Sequence, residues 1–130
     1  MLHCIVVTPE QTLYDQTAEF AAMMLFDGEI GIAPGHTPMI GRLGYGEMRI
    51  RRGGQIDRLY VEGGFVEVLD DEVSVLTQRA MPAAEVDEAV AREQLSAARS
   101  RRASTPETIA QRDRAVEQCR AQLRTARRAR

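Results

Sequence analysis

The chain contains no lysine and no tryptophan, and all 17 cations among its 130 residues are arginine. Without lysine there can be no Walker-A phosphate loop, Schiff-base nucleophile or pyridoxal anchor, so self-contained nucleotide hydrolysis of the P-loop type is excluded. Aromatic residues are scarce, so a core must be built mainly from Val, Ile, Leu and Met. Cysteine is nearly absent: Cys4 and Cys119 lie far apart and form no CxxC pair. A disulfide framework is therefore not indicated, and a reducing compartment is expected. Cys4 stands in an apolar run and reads as a small buried hydrophobe. Long hydrophobic runs are also missing. The longest, residues 20–26, has seven residues, against about 20 needed to span a bilayer. The first residues lack the basic start and small-residue cleavage site of a secretory signal. Any membrane association is expected to pass through another protein.

Charge is divided unevenly. Residues 1–91 hold six Arg against fifteen acidic residues, a net of -9, whereas residues 92–130 hold eleven Arg against four, a net of +7. An acidic body with a basic arm suggests two units with different partners.

Up to about residue 80, short apolar runs alternate with turn chemistry, the pattern of an all-β unit. Strands are predicted over residues 2–8, stopped by Pro9, and 18–26, whose continuous apolar character implies burial on both faces. A third is expected over 38–43. Met48 and Ile50 alternate with Arg49 and Arg51, closed by Gly53-Gly54, and Leu59 and Val61 alternate with Arg58, Tyr60 and Glu62. Residues 65–69 and 73–77, joined by Asp70-Asp71-Glu72, read as a closing hairpin. Strands at this spacing favour a small sandwich or barrel.

From Pro82 onward there is no glycine, and Ala, Arg, Glu and Gln dominate. These are good helix formers. One helix is predicted from about residue 84 to 101. A second starts at Pro106, with Thr105 as its N-cap. Ile109, Val116 and Leu123 recur every seven residues, with Cys119 and Ala126 on a neighbouring row, as a heptad-like seam. The expected fold is α+β: an N-terminal β-sandwich over residues 1–81, followed by a C-terminal antiparallel two-helix hairpin over 82–130. The first helix has few large apolar residues (Val86, Val90, Leu95), and alanine contributes little on burial. The arm should therefore dock marginally.

Catalytic constellations are lacking. His3 and His36 form no H-x-x-H pair, His3 and Cys4 are adjacent on a strand and point to opposite faces, and no serine stands in a nucleophile elbow. Asp70-Asp71-Glu72 lacks a calcium-loop pattern and reads as a solvated turn. No catalytic, metal or cofactor-binding residue is expected.

The densest signal is Asp27-Gly28-Glu29-Ile30-Gly31-Ile32-Ala33-Pro34-Gly35-His36-Thr37-Pro38. Glycine and proline alternate so closely that a specified loop is predicted, with Ile30 and Ile32 packed inward. Together with Gly63-Gly64-Phe65-Val66-Glu67-Val68, Thr8-Pro9 and Gly46-Glu47-Met48-Arg49-Ile50, this segment resembles the epsilon subunit of F-type ATP synthases, along essentially the whole chain. The resemblance implies a non-catalytic central-stalk subunit that couples the c-ring to gamma in ion-driven ATP synthesis. It also implies that the hairpin restrains ATP hydrolysis. It carries contacts with the c-ring and gamma to Glu29, Ile30, Gly31 and His36, and regulatory contacts with the alpha and beta catalytic subunits to Arg112, Arg120, Arg124 and Arg127. Location at the cytoplasmic face of the membrane, held peripherally by the complex, follows from the same resemblance. Some family members bind ATP through an [IL]-D-x-x-R-A motif. Here Val86-Asp87-Glu88-Ala89-Val90-Ala91 places Val90 where the arginine would stand, so tight ATP binding is not expected. The alternative for the Arg-rich helices is a nucleic-acid-binding module. Against it stand the interleaved acids, the missing aromatics and the acidic body.

Overall fold

The computed structural model describes residues 1–128. Ten strands come first: β1 Leu2–Val7, β2 Thr12–Ala18, β3 Phe20–Leu25, β4 Gly28–Ile32, β5 Met39–Arg42, β6 Tyr45–Arg52, β7 Gln55–Glu62, β8 Phe65–Leu69, β9 Glu72–Leu76 and β10 Arg79–Pro82. They form two five-stranded sheets, ordered β2-β1-β9-β8-β5 and β10-β7-β6-β3-β4. The sheets face each other as a sandwich. Pairing is antiparallel except between β1 and β9, which set Cys4 beside Val73 and Val6 beside Val75.

Alternation along the strands produces the core. Leu2, Cys4 and Val6 of β1 point inward with Val66, Val68, Val73 and Val75, all buried. From the opposing sheet, Ala21, Met23, Ile32, Met48, Ile50, Leu59 and Val61 meet them. Each such Val, Leu or Ile contributes roughly 1.5–3 kcal/mol on burial. One end is closed by polar groups: the Tyr14 hydroxyl on β2 donates to Asp57 Oδ2 on β7 at 2.5 Å, and Arg52 Nε donates to the same oxygen at 2.6 Å.

Two strands carry no sequence signal. In β2 only Ala18 is fully buried, so the apolar alternation that betrays a strand is missing. Strand β10 is a four-residue edge pairing with β7 alone, and it ends on Pro82, a residue tolerated at sheet edges. The predicted first helix also changes. A short 3-10 turn, Ala83–Glu85, is followed by α1 at Glu88–Arg99, because the Asp87 carboxylate accepts from Val90 N at 3.1 Å and caps the helix there. The second helix, α2, runs Pro106–Arg128, with Thr105 Oγ1 accepting from Thr108 N at 3.2 Å as a cap.

The arm folds as an antiparallel pair. Ala91 and Leu95 pack against Val116, Cys119 and Leu123. Two seam assignments shift: Ile109 is exposed, and Ala126 turns toward the sandwich with Ala121, against Tyr60 and Val86. The cause is a wide helix face. α2 serves two neighbours, α1 on one side and β6 and β7 on the other, so a single heptad row cannot describe it. No helix among the described residues is long and apolar enough to cross a membrane.

Candidate partner-contact site

The glycine–proline segment is half strand and half loop. Its first half, β4, is the edge of the second sheet, with Glu29 opposite Met24, Ile30 opposite Met23, Gly31 opposite Ala22 and Ile32 opposite Ala21. The expectation of a loop throughout is thus corrected: glycines on a short edge strand do not prevent pairing, because their neighbours Ile30 and Ile32 anchor it. Ile32 is fully buried and Ile30 half-buried against the core. Gly31 faces outward beneath the Phe20 ring, where a Cβ would lie 2.6 Å from Phe20 Cζ. The Arg51 guanidinium sits over that ring, 5.4 Å from its centre.

Beyond β4 the chain turns tightly. His36 N donates to Ala33 O at 3.2 Å, and Gly35 adopts a φ of 83°. Gly35 N donates to Asp71 Oδ1 at 2.7 Å, tying the loop to the β8–β9 turn. His36 Nδ1 lies 2.7 Å from Thr37 O, so the ring is oriented by its own backbone. Asp71 therefore does more than face water. Asp70 and Asp71 have φ values of 50° and 62°, the two-positive-φ geometry of a tight hairpin turn. The visible clue in the sequence is an Asp-Asp pair between two alternating runs; its tether to the distant loop had none.

Charges line the rim. Glu29 pairs with Arg49. Arg49 also approaches Glu47 at 3.6 Å, and Arg58 Nη1 donates to Glu47 Oε1 at 3.0 Å. Glu47 is buried, and its second oxygen has no hydrogen-bond partner among the described residues. On the other sheet the outward face mixes apolar side chains with Arg42, Glu67 and Ser74. Ile40, Phe65 and Leu76 are 73%, 56% and 53% exposed, with Phe65 in register between Arg42 and Leu76.

The arm's arginines are dispersed. Arg112 lies beside Asp113 at 3.4 Å, and Arg127 Nε donates to Glu88 Oε1 at 3.2 Å. Arg120 and Arg124 are exposed. Arg124, with Arg114 and Arg42, borders a cleft of about 680 Å³ between α2 and the Gly63-Gly64 turn. A smaller cleft of about 180 Å³ lies at Tyr60, Arg79, Asp87, Val90 and Gln122. There the Asp87 carboxylate is engaged as a cap, and Val90 is 45% exposed and uncharged. Among the described residues no group of three or more His, Cys, Asp or Glu side chains could hold a metal ion.

The family model for the ATP synthase delta/epsilon chain beta-sandwich domain matches residues 1–83. The ATP synthase epsilon chain of Rhodopirellula baltica is 46% identical over 97% of this chain and 98% of its own length. The chain belongs to the ATP synthase epsilon-chain family. The Bacillus subtilis epsilon chain is 40% identical over 74% of this chain and 70% of its own. Two solved structures share the fold of this epsilon-family chain. A chain of the Euglena gracilis mitochondrial ATP synthase, determined with OSCP, F1 and the c-ring, has a TM-score of 0.84 at 22% identity, covering 92% of this chain and 78% of that one. A chain of the Tetrahymena thermophila mitochondrial ATP synthase central stalk and c-ring has a TM-score of 0.76 at 14% identity, covering 96% of each. As an epsilon chain, the protein is a non-catalytic part of the ATP synthase. The family match ends at the sandwich, whereas the Rhodopirellula alignment takes in the arm as well.

Proposed function

We propose that the sandwich fastens the gamma subunit to the c-ring, so that ion-driven rotation is transmitted as torque, and that the helical arm restrains ATP hydrolysis. The observation that carries this reading is the tethered loop. Glu29, Ile30, Gly31 and His36 stand on a rim braced by β3 pairing and by the Gly35–Asp71 bond, and rigidly braced loops are where contacts are made. Contacts to the c-ring and gamma belong there. The exposed Ile40, Phe65 and Leu76, interleaved with Arg42 and Glu67, offer a second surface of the kind another subunit covers. We assign that face to gamma as well.

Arm function is a population shift between docked and extended states, each needing its own contacts. Arg112, Arg120, Arg124 and Arg127 would meet acidic surfaces of the alpha and beta subunits when the arm extends. The sandwich and arm act as separate units, divided near residue 82, and the protein sits peripherally at the cytoplasmic face of the membrane through the complex. The test is reconstitution of the whole enzyme with residues 82–130 deleted. Assembly should persist and hydrolysis should rise. Unchanged hydrolysis would overturn the restraint, and loss of gamma from the purified complex in Glu29 and His36 variants would support the coupling assignment.

A further inference from the structure

The face that α2 turns to the sandwich is poor in large apolar side chains. Ala121 and Ala126 of α2 meet Tyr60 and Val86, with Tyr45 and Met81 at the margin. Alanine burial contributes far less than the roughly 1.5–3 kcal/mol of a Leu or Val. Polar contact, by contrast, converges on one atom. Oε1 of Glu62, at the end of β7, accepts from the Tyr60 hydroxyl at 2.9 Å, Gln118 Nε2 at 2.9 Å and Gln122 Nε2 at 3.0 Å, with Arg79 Nη1 at 3.5 Å. The Glu62 side chain is only 10% exposed. Two of these four donors come from α2, one helical turn apart, so both reach a single carboxylate only when the helix lies in this register.

We propose that Glu62 is the latch of the arm: a carboxylate clasped by the Gln118 and Gln122 amides, whose opening frees the helices and leaves the sandwich intact. Because the apolar contact is thin, the polar clasp decides the equilibrium. Removing the acceptor takes the carboxylate from the buried Gln122 amide and leaves it only the Tyr60 hydroxyl, and poorly met buried donors are costly. The arm's two donors are neutral amides, which hold a carboxylate less strongly than a guanidinium fork would. That suits a contact meant to open. None of the four donors belongs to the cluster of residues that forms the sandwich core.

The use of the latch in the enzyme rests on the proposed restraint by the arm; its physical action does not. The experiment is native-state hydrogen exchange on the full chain. In Glu62→Ala, α2 amides should exchange about tenfold to a hundredfold faster, while those of β1 and β9 keep their protection. The arm-side variant Gln118→Ala/Gln122→Ala should do the same, and combining all three should add little, since one contact is lost in each case. Unchanged α2 protection in both variants overturns the latch, as does equal loss in α2 and β1, or full additivity. Hydrolysis by the enzyme carrying Glu62→Ala separates the two proposals. A faster-exchanging arm with unaltered hydrolysis keeps the latch and removes the restraint.

Discussion

Gly35 and Asp71 meet across 36 residues of sequence, the backbone amide of one donating to the carboxylate of the other at 2.7 Å. Gly35 has a φ of 83° and Asp71 one of 62°, so the turn that crosses from β4 to β5 and the β8–β9 hairpin turn present polar atoms to each other. The rim that carries Glu29 and His36 is thereby fixed to the sheet that carries β1 and β9. Asp71→Gly keeps a residue suited to positive φ but removes the acceptor. It should speed exchange of the Gly35 amide about tenfold and lower unfolding stability by about 1 kcal/mol, read by urea denaturation. An unaltered Gly35 amide would show that the tether does not hold the loop.

Gly64 and Gly31 should respond differently to alanine. At Gly64, with a φ of 97°, an added Cβ would fall 1.9 Å from the Leu76 carbonyl oxygen, a backbone atom that cannot retreat. At Gly31 it would meet only the outer edge of the half-buried Phe20 ring. Gly64→Ala is expected to cost about 3 kcal/mol or more, and Gly31→Ala about 1 kcal/mol. Thermal unfolding of the two variants decides the order.

Acid should weaken the closure at Tyr14. A hydrogen bond from Arg52 is the main cause that holds the Asp57 carboxyl below its ordinary value; burial pushes it up, and the Tyr14 hydrogen bond adds to the lowering. A depressed folded-state pKa contributes stability that is fully present above the unfolded value of about 3.9 and lost as pH falls through the folded one. Asp57→Asn should therefore lower the urea midpoint at pH 7 and flatten its fall below pH 4. Tyr14→Phe should cost about 1 kcal/mol at neutral pH.

The two thiols should report on separate openings. Burial pushes the Cys4 thiol up to about 11 and raises that of Cys119 as well. Cys4 lies in the sandwich core and Cys119 in the α1–α2 seam. Labelling at pH 8 should thus be slow at both, yet at least about tenfold faster at Cys119, because arm separation costs less than global unfolding. Equal labelling rates would mean that arm and body open as one.

Much of the architecture was legible because alternation and punctuation are local. β6, β7, β8 and β9 follow from apolar residues at every second position, and Thr105-Pro106 marks the start of α2 from its own chemistry. β2 and β10 were not legible, since edge strands bury little and leave no pattern. Nor was the start of α1, which the Asp87 cap decides over the helix-forming Ala83 and Ala84 before it. Of the rim, Glu29, Ile30, Gly31 and His36 were visible as a motif. Asp71 and Glu62 were not, because their importance lies in partners 36 and about 60 residues away.

By itself the sequence determined that an acidic body of short strands precedes an arginine-rich pair of helices, since periodicity, caps and charge act within a few residues. Only the tertiary structure decided which groups meet: the parallel β1–β9 pairing, the loop tied to Asp71, and the carboxylate of Glu62 beneath α2. Those contacts are set by how two sheets and two helices bury their faces at once. That is a condition on the whole chain that no single segment expresses.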